Sequence, residues 1–234
     1  MSQRCRTPQG GRVDREQEIS FTFNGKRYTG LAGDTLSSAL LANGQHLVGR
    51  SWKYHRPRGV MSAGAEEPNA LVQLEKGNRT VPNARATQVE LYNGLDADSV
   101  NCWPSVNLDL LSINSWFARL MPAGFYYKTF MWPKSMWMRY EHFIRKASGL
   151  GVAPRELDPD RYEHTHAHCD VLIVGGGVAG LSAALSAGRA GARVILADEQ
   201  GEFGGQTLGN PVQIDGVDAS QWIENAMVEL KGMD

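Results

Sequence analysis

The stretch from Asp170 to Asp198 restricts the fold of this 234-residue chain more than any other feature. Asp170-Val171-Leu172-Ile173-Val174 is a continuous β-branched and aliphatic run, the pattern of a strand buried on both faces. Gly175-Gly176-Gly177-Val178-Ala179-Gly180 follows at once, and Leu181 to Gly188 reads as a helix with several small residues. Arg193-Val194-Ile195-Leu196-Ala197 is a second buried strand, ending at Asp198 and Glu199. Gly175 and Asp198 are 23 positions apart, the range expected of an acid that meets a ribose in a dinucleotide fold. A lone glycine triplet says little. Strand, glycines, helix, strand and acid in register say much more.

Each part has a physical task. Gly175 permits the tight turn, Gly177 lets the backbone approach a pyrophosphate, and Gly180 lets helix and strand pack closely. Amides of Val178 and Ala179 at the helix start meet the pyrophosphate charge along the helix dipole. Asp198 can accept hydrogen bonds from the adenosine ribose. These features point to a dinucleotide. The second glycine pair, Gly204-Gly205 with Gln206, resembles that of two-dinucleotide flavoproteins and keeps FAD open as the alternative. A mononucleotide half needs a third parallel strand; after the amphipathic Ser220–Met227 the sequence reaches Asp234 without one. Residues 166–234 are therefore expected to be an incomplete, Rossmann-like dinucleotide-binding domain of a longer polypeptide, with strands lacking part of their cover.

The N-terminal part is built differently. Ile19-Ser20-Phe21-Thr22-Phe23 alternates as a half-buried strand does. Asn24-Gly25 is a strong hairpin signal, and Lys26 to Gly30 is the return strand. Asp34 can cap a helix whose Leu36, Ala39 and Leu40 share one side, and Gly44 stops it. A hairpin followed by a capped helix opens a β-grasp, ferredoxin-like domain, here over residues 16–90. The fold class is thus α/β with an α+β N-terminal part.

Charge separates the two units. Residues 1–60 carry ten basic and four acidic side chains, whereas 151–234 carry five and thirteen. The net charge of −1 argues against a dedicated nucleic-acid or membrane-surface binder. No apolar run approaches the ~20 residues of a membrane helix, and Met1–Arg15 lacks the apolar core of a secretory signal. Three widely spaced cysteines, Cys5, Cys102 and Cys169, exclude a disulfide framework and fit a reducing cytoplasm. Between the units, residues 103–143 hold eleven of the twenty Phe, Trp and Tyr residues. This connector, 91–165, is either shared core or a seam for another subunit. Leu108 to Leu120 reads as a helix within it. His164, His166, His168 and Cys169 invite a metal reading, but alternating histidines on an extended segment point to opposite faces. An entrance strand is the expectation, with no metal site. Ser51-Trp52-Lys53-Tyr54-His55-Arg56-Pro57-Arg58-Gly59 interleaves cations with aromatics, suited to a phosphate, a nucleic-acid strand or an acidic protein surface.

Two resemblances add to this. Gly33 to Gly44 resembles the start of the small [2Fe–2S] domains fused to flavin oxidoreductases, whose following loop carries cysteines spaced C-x4-C-x2-C. Laid on Gly59–Val72, that spacing falls on Ser62, Glu67 and Ala70, so the expectation is a β-grasp scaffold with no iron–sulfur cluster. Ser51–Gly59, Pro68–Val72, Asn83–Leu95 and Pro122–Pro133 are similar to the alpha subunits of heterotetrameric sarcosine oxidases over most of residues 16–150. That resemblance implies oxidative demethylation of sarcosine. Electrons would pass through flavin to oxygen, and the methyl carbon to tetrahydrofolate or formaldehyde. It also implies FMN or FAD in a partner subunit, beta, gamma and delta subunits as partners, and NAD bound by this chain. No carboxylate pair, Ser/His/Asp set or reactive cysteine makes a catalytic site here. The rival readings are the alpha subunit of an opine or amino-acid dehydrogenase, and a non-catalytic assembly subunit whose dinucleotide is structural.

Overall fold

Ile19, Phe21 and Phe23 are buried while Glu18 and Ser20 are exposed, the period of two that sets one face of a strand against a core. In the computed structural model, which describes residues 3–124, 130–210 and 212–233, this strand is β1 (Asp14–Phe23). It pairs antiparallel with β2 (Lys26–Ala32). Asn24 and Gly25 turn the chain at φ 51° and 72°, the left-handed pair that matches strand twist in a two-residue hairpin.

The short strands β3 (Gly49–Arg50) and β4 (Pro57–Arg58) pair antiparallel and bracket the basic loop. Three further strands complete the main sheet: β5 (Leu71–Leu74), β6 (Val81–Arg85) and β7 (Asp96–Ser99). Its order is β2-β1-β7-β5-β6, with β1 and β7 parallel and the other pairs antiparallel. This mixed sheet fits the ferredoxin-like expectation. The helix Leu36–Ala42 supplies Leu36, Ala39 and Leu40 to a core with Phe21, Phe23, Val48, Val72 and Leu95.

The helix start corrects one expectation. Its cap is Thr35, not Asp34: the Thr35 hydroxyl accepts from the Ser38 amide at 3.2 Å, and the Ser38 hydroxyl accepts from the Thr35 amide at 2.9 Å. This reciprocal pair satisfies two orphan donors. Asp34 is buried one residue earlier, where its carboxylate takes the Leu31 amide, the Ser38 hydroxyl and the Arg6 guanidinium. Thr35→Ala should lower the stability of this unit by about 1 kcal/mol, read as an earlier urea transition. An unchanged midpoint would remove the cap from the account.

The chain divides into two compact units, Met1–Arg161 and Tyr162–Asp234. In the first, Leu110–Leu120 is a 3-10 segment with non-helical backbone at Phe117, where an α-helix was expected. Ser112 and Ser115 explain the tightening, since their hydroxyls donate to the carbonyls of Asp109 and Ser112, each at 2.6 Å. The helix Trp137–Ala147 follows and has no counterpart in the sequence reading.

In the second unit, β8 (Val171–Val174), the helix Val178–Arg189 and β9 (Val194–Ala197) form a parallel β-α-β unit. The register pairs Val171 with Val194 and Val174 with Ala197. A small hairpin, β10 (Gln213–Ile214) with β11 (Val217–Asp218), leads into the helix Ala219–Lys231. Leu181, Ala184 and Leu185 of one helix and Ala219, Ile223 and Ala226 of the other are buried. Arg189 donates twice to Glu229 between these two helices, at 2.6 and 2.8 Å. The strands keep cover on one face only, in line with the expectation that they lack part of their cover. Leu172 and Val174 are 60% and 81% exposed, because the helix Val178–Arg189 covers one face only. The expected entrance strand at His164–Cys169 is absent: these residues are coil, and regular pairing begins at Val171.

Candidate functional site

The glycine loop, Asp198 and the second glycine pair meet at the C-terminal ends of β8 and β9. Gly175 turns the chain at φ 106°, a conformation closed to residues with a Cβ. A Cβ on Gly180 would stand 1.8 Å from the Gly175 carbonyl oxygen, so the helix approaches the turn only as glycine. The amides at the start of the helix Val178–Arg189 have no side-chain cap. That leaves an electropositive helix terminus beside the turn.

Asp198 reaches back to this loop. The Gly176 amide donates to its Oδ2, and the Gln200 amide donates to its Oδ1 at 2.7 Å. The bond from Gly176, then that from Gln200, holds the Asp198 carboxyl below the usual carboxylate range, so it is charged at neutral pH. A carboxylate has about four lone-pair directions, which leaves acceptor capacity for a ribose. Glu199 is exposed immediately after it.

Gly204 closes the other side. Its amide donates to the Gly176 carbonyl at 2.8 Å, and Gly177 and Gly204 form a parallel bridge. A Cβ on Gly205 would lie 3.2 Å from the Gly177 Cα. Gln206 sits in the following turn, Gly205–Leu208. Thus Gly175, Gly176, Gly177, Val178, Ala179, Gly180, Asp198, Gly205 and Gln206 form one neighbourhood. Sequence reading missed Phe203, whose ring lies where a Cβ on Gly176 would fall, 2.0 Å from its Cδ1. An aromatic residue directly before a glycine pair was the available signal.

The first unit holds two buried polar arrangements. Glu67 is 1% exposed. Its carboxylate accepts four backbone amides: Met61 at 2.7 Å, Ser62 at 2.6 Å, Asn69 at 2.6 Å and Ala70 at 3.0 Å. Burial pushes this carboxyl up, but the amides outweigh it and hold it below its ordinary range. A folded-state value below the unfolded one contributes stability that is present above the ordinary carboxylate range. That contribution is lost as the pH falls through the folded value. His55 is also buried, at a left-handed φ of 52°, with Nδ1 2.8 Å from the Asp109 carboxylate. Lys53 and Tyr54 donate to the carbonyls of Pro122 and Met121 at 2.9 and 2.8 Å, and Arg56 lies over the Tyr54 ring. Much of the basic loop is therefore fastened to the connector. Among the described residues, no three His, Cys, Asp or Glu side chains converge as a metal site, and no helix is long and apolar enough to cross a membrane.

Residues 16–102 match the family described as "2Fe-2S iron-sulfur cluster binding domain", and residues 170–231 match "FAD dependent oxidoreductase". The first match overturns the expectation of a β-grasp scaffold with no iron–sulfur cluster, since it indicates an iron–sulfur domain. That expectation weighed three loop positions, whereas the likeness runs through the whole sheet and helix. The likeness is thus to a cluster-binding domain family over the first stretch and to a flavin-oxidoreductase family over the second. The loop side chains at Ser62, Glu67 and Ala70 supply no thiolate.

"Sarcosine oxidase subunit alpha" of Rhizobium meliloti (strain 1021) is 55% identical over 97% of this chain and 23% of the relative. A protein of the same name from Corynebacterium sp. (strain U-96) is 36% identical over 94% of the chain and 18% of the relative. The chain thus spans less than a quarter of the length of these curated relatives. The crystal structure of L-proline dehydrogenase from P.horikoshii superposes at a TM-score of 0.50 with 18% identity, covering 92% of this chain and 32% of that one. This is a likeness of fold alone.

Proposed function

We propose, from the premise that this chain is homologous over nearly its whole length to proteins named sarcosine oxidase subunit alpha, that it is the dinucleotide-binding N-terminal portion of such a subunit. The enzyme would be an oxidoreductase acting on amine donors. It would demethylate sarcosine oxidatively to glycine, with the electrons passing to oxygen and the methyl carbon leaving as formaldehyde or to tetrahydrofolate. Beta, gamma and delta subunits would complete a cytoplasmic heterotetramer, with FMN or FAD held in a partner.

The observation that carries the local reading is the meeting of Gly176, Gly204 and the charged Asp198 beside an uncapped helix start. A Rossmann-like turn of this kind gives a pyrophosphate its amides and a ribose its acceptor. In this reading Gly175, Gly176, Gly177, Val178, Ala179 and Gly180 cradle the pyrophosphate. Asp198 and Glu199 face the adenosine, and Gly205 and Gln206 flank the entry. NAD is the proposed ligand; bound there, it would carry a hydride on its nicotinamide. The family match of residues 170–231 favours FAD as a second reading. The full-length subunit, assembled with its partners, should generate peroxide on addition of sarcosine. Turnover of opines without peroxide would favour the dehydrogenase reading. Full turnover after the dinucleotide is removed would favour a structural one.

We also propose the domain boundaries 16–90, 91–165 and 166–234, with the middle segment as a subunit contact. Trp116, Leu120 and Trp132 are 82%, 76% and 81% exposed, more apolar surface than a solvated connector would keep. Of the connector's aromatic residues, Phe125, Tyr126 and Tyr127 lie outside the described residues. Trp132→Ala should weaken subunit association about tenfold if this ring is a buried anchor. Unchanged assembly, read by sedimentation, would return the segment to a bystander.

A further inference from the structure

Four amides converge on one side chain in the loop Met61–Ala70, and no ion pair reaches that side chain among the described residues. The donors come from both sides of Glu67 in sequence: Met61 and Ser62 bind one carboxylate oxygen, while Asn69 and Ala70 bind the other. Concavities of backbone amides are anion sites in general, serving phosphates and iron–sulfur centres elsewhere. Here the carboxylate is covalently part of the loop and fully buried. The loop is tied in turn to the sheet. The Ala70 carbonyl accepts the Ala86 amide at 2.9 Å, and the Thr87 hydroxyl donates to Gly64 at 2.6 Å. A loop with four inward amides and no anion would leave the buried Ala70 amide and three part-buried donors without this acceptor, a destabilising loss.

We propose that these four amides form a carboxylate-binding cradle, with Glu67 as its resident anion and the positioning residue of the loop. The ligand class follows from the geometry. Two oxygens, each taking two amides, describe a carboxylate, and small monocarboxylates such as acetate or formate share that head group. Removing the Glu67 side chain should leave a vacated site of that chemistry, lined by amides that cannot be deleted by the substitution.

The test is amide hydrogen exchange on the full-length subunit carrying Glu67→Ala or Glu67→Gln, with acetate, formate and chloride as the probes. In Glu67→Ala the amides of Met61, Ser62, Asn69 and Ala70 should exchange about a hundredfold faster, the loss expected for hydrogen bonds to a charged acceptor. The amides of Phe21 and Ala97 in the sheet should be unaffected. Acetate or formate at millimolar concentration should restore protection, and chloride at equal ionic strength should not. Glu67→Gln keeps the volume but has one accepting oxygen, so one pair of amides should stay protected while the other is lost. This variant carries the test if Glu67→Ala does not fold. Unchanged protection in either variant, or rescue by chloride equal to that by acetate, would overturn the proposal.

Discussion

Gly180→Ala should abolish dinucleotide binding. The added Cβ would stand 1.8 Å from the Gly175 carbonyl oxygen and 3.0 Å from its carbon. Both atoms are backbone, so no side chain can swing away. Either the helix Val178–Arg189 must back off β8, or the Gly175 turn must open. Over-packing of this kind costs up to about 3 kcal/mol. Either movement also displaces the helix-start amides from the place where a pyrophosphate would lie. Gly209→Ala is the control, since its φ is −100° and nothing lies within 4 Å of the new Cβ. The full-length variants would be compared by calorimetric titration with NAD. A Gly180→Ala variant that binds like wild type would show that the helix start does not form the site.

Asp198→Ala is the second large effect. The substitution removes a charge and also frees the Gly176 amide that the carboxylate now holds. Hydrogen bonds to a charged group contribute about 1.5–3 kcal/mol, so NAD affinity should fall about tenfold to a hundredfold. NADP behaves differently. Its 2′-phosphate would meet the Asp198 charge, and Arg193, the nearest basic residue in sequence, stands at the other end of the same strand. Removing the carboxylate weakens NAD while it relieves that repulsion, so the two affinities should converge. Asp198→Asn separates the effects: it lifts the repulsion but keeps an accepting oxygen.

The parts of the fold legible in sequence are those whose pattern and chemistry agree. Phe21 and Phe23, with Asn24-Gly25, give the hairpin because alternation and left-handed turn residues point to the same register. Gly175, Gly180 and Asp198 give the second unit because each answers a separate steric or polar demand at a fixed spacing. What stayed hidden had weak local signals. The strand β7 is Asp96-Ala97-Asp98-Ser99, with only Ala97 buried, and it pairs through partners far away in sequence. The edge strand β6 contains Pro82 and a left-handed Asn83, both features that argue against a strand locally. The helix Trp137–Ala147 lacks a side-chain cap to announce it.

The candidate site divides the same way. Its glycines and acid are local in sequence and were readable. The closure of Gly204 onto Gly176 and the ring of Phe203 against it arise from tertiary packing. In the N-terminal unit, the position of Glu67 in the loop was visible, but its four amide donors were not. They depend on a loop conformation that no residue type dictates. Three loop positions without cysteine argue against a cluster, but residues 16–102 as a whole match a cluster-binding domain family.

The central claim, that the second unit binds NAD through Asp198, is tested most directly by titrating the full-length subunit with NAD and NADP, as wild type and as Asp198→Ala. The wild type should bind NAD more tightly than NADP. The variant should form a tenfold to hundredfold weaker NAD complex, with a smaller gap between the two nucleotides. Equal wild-type affinities, or a variant that binds NAD as the wild type does, would contradict it and remove Asp198 from the site.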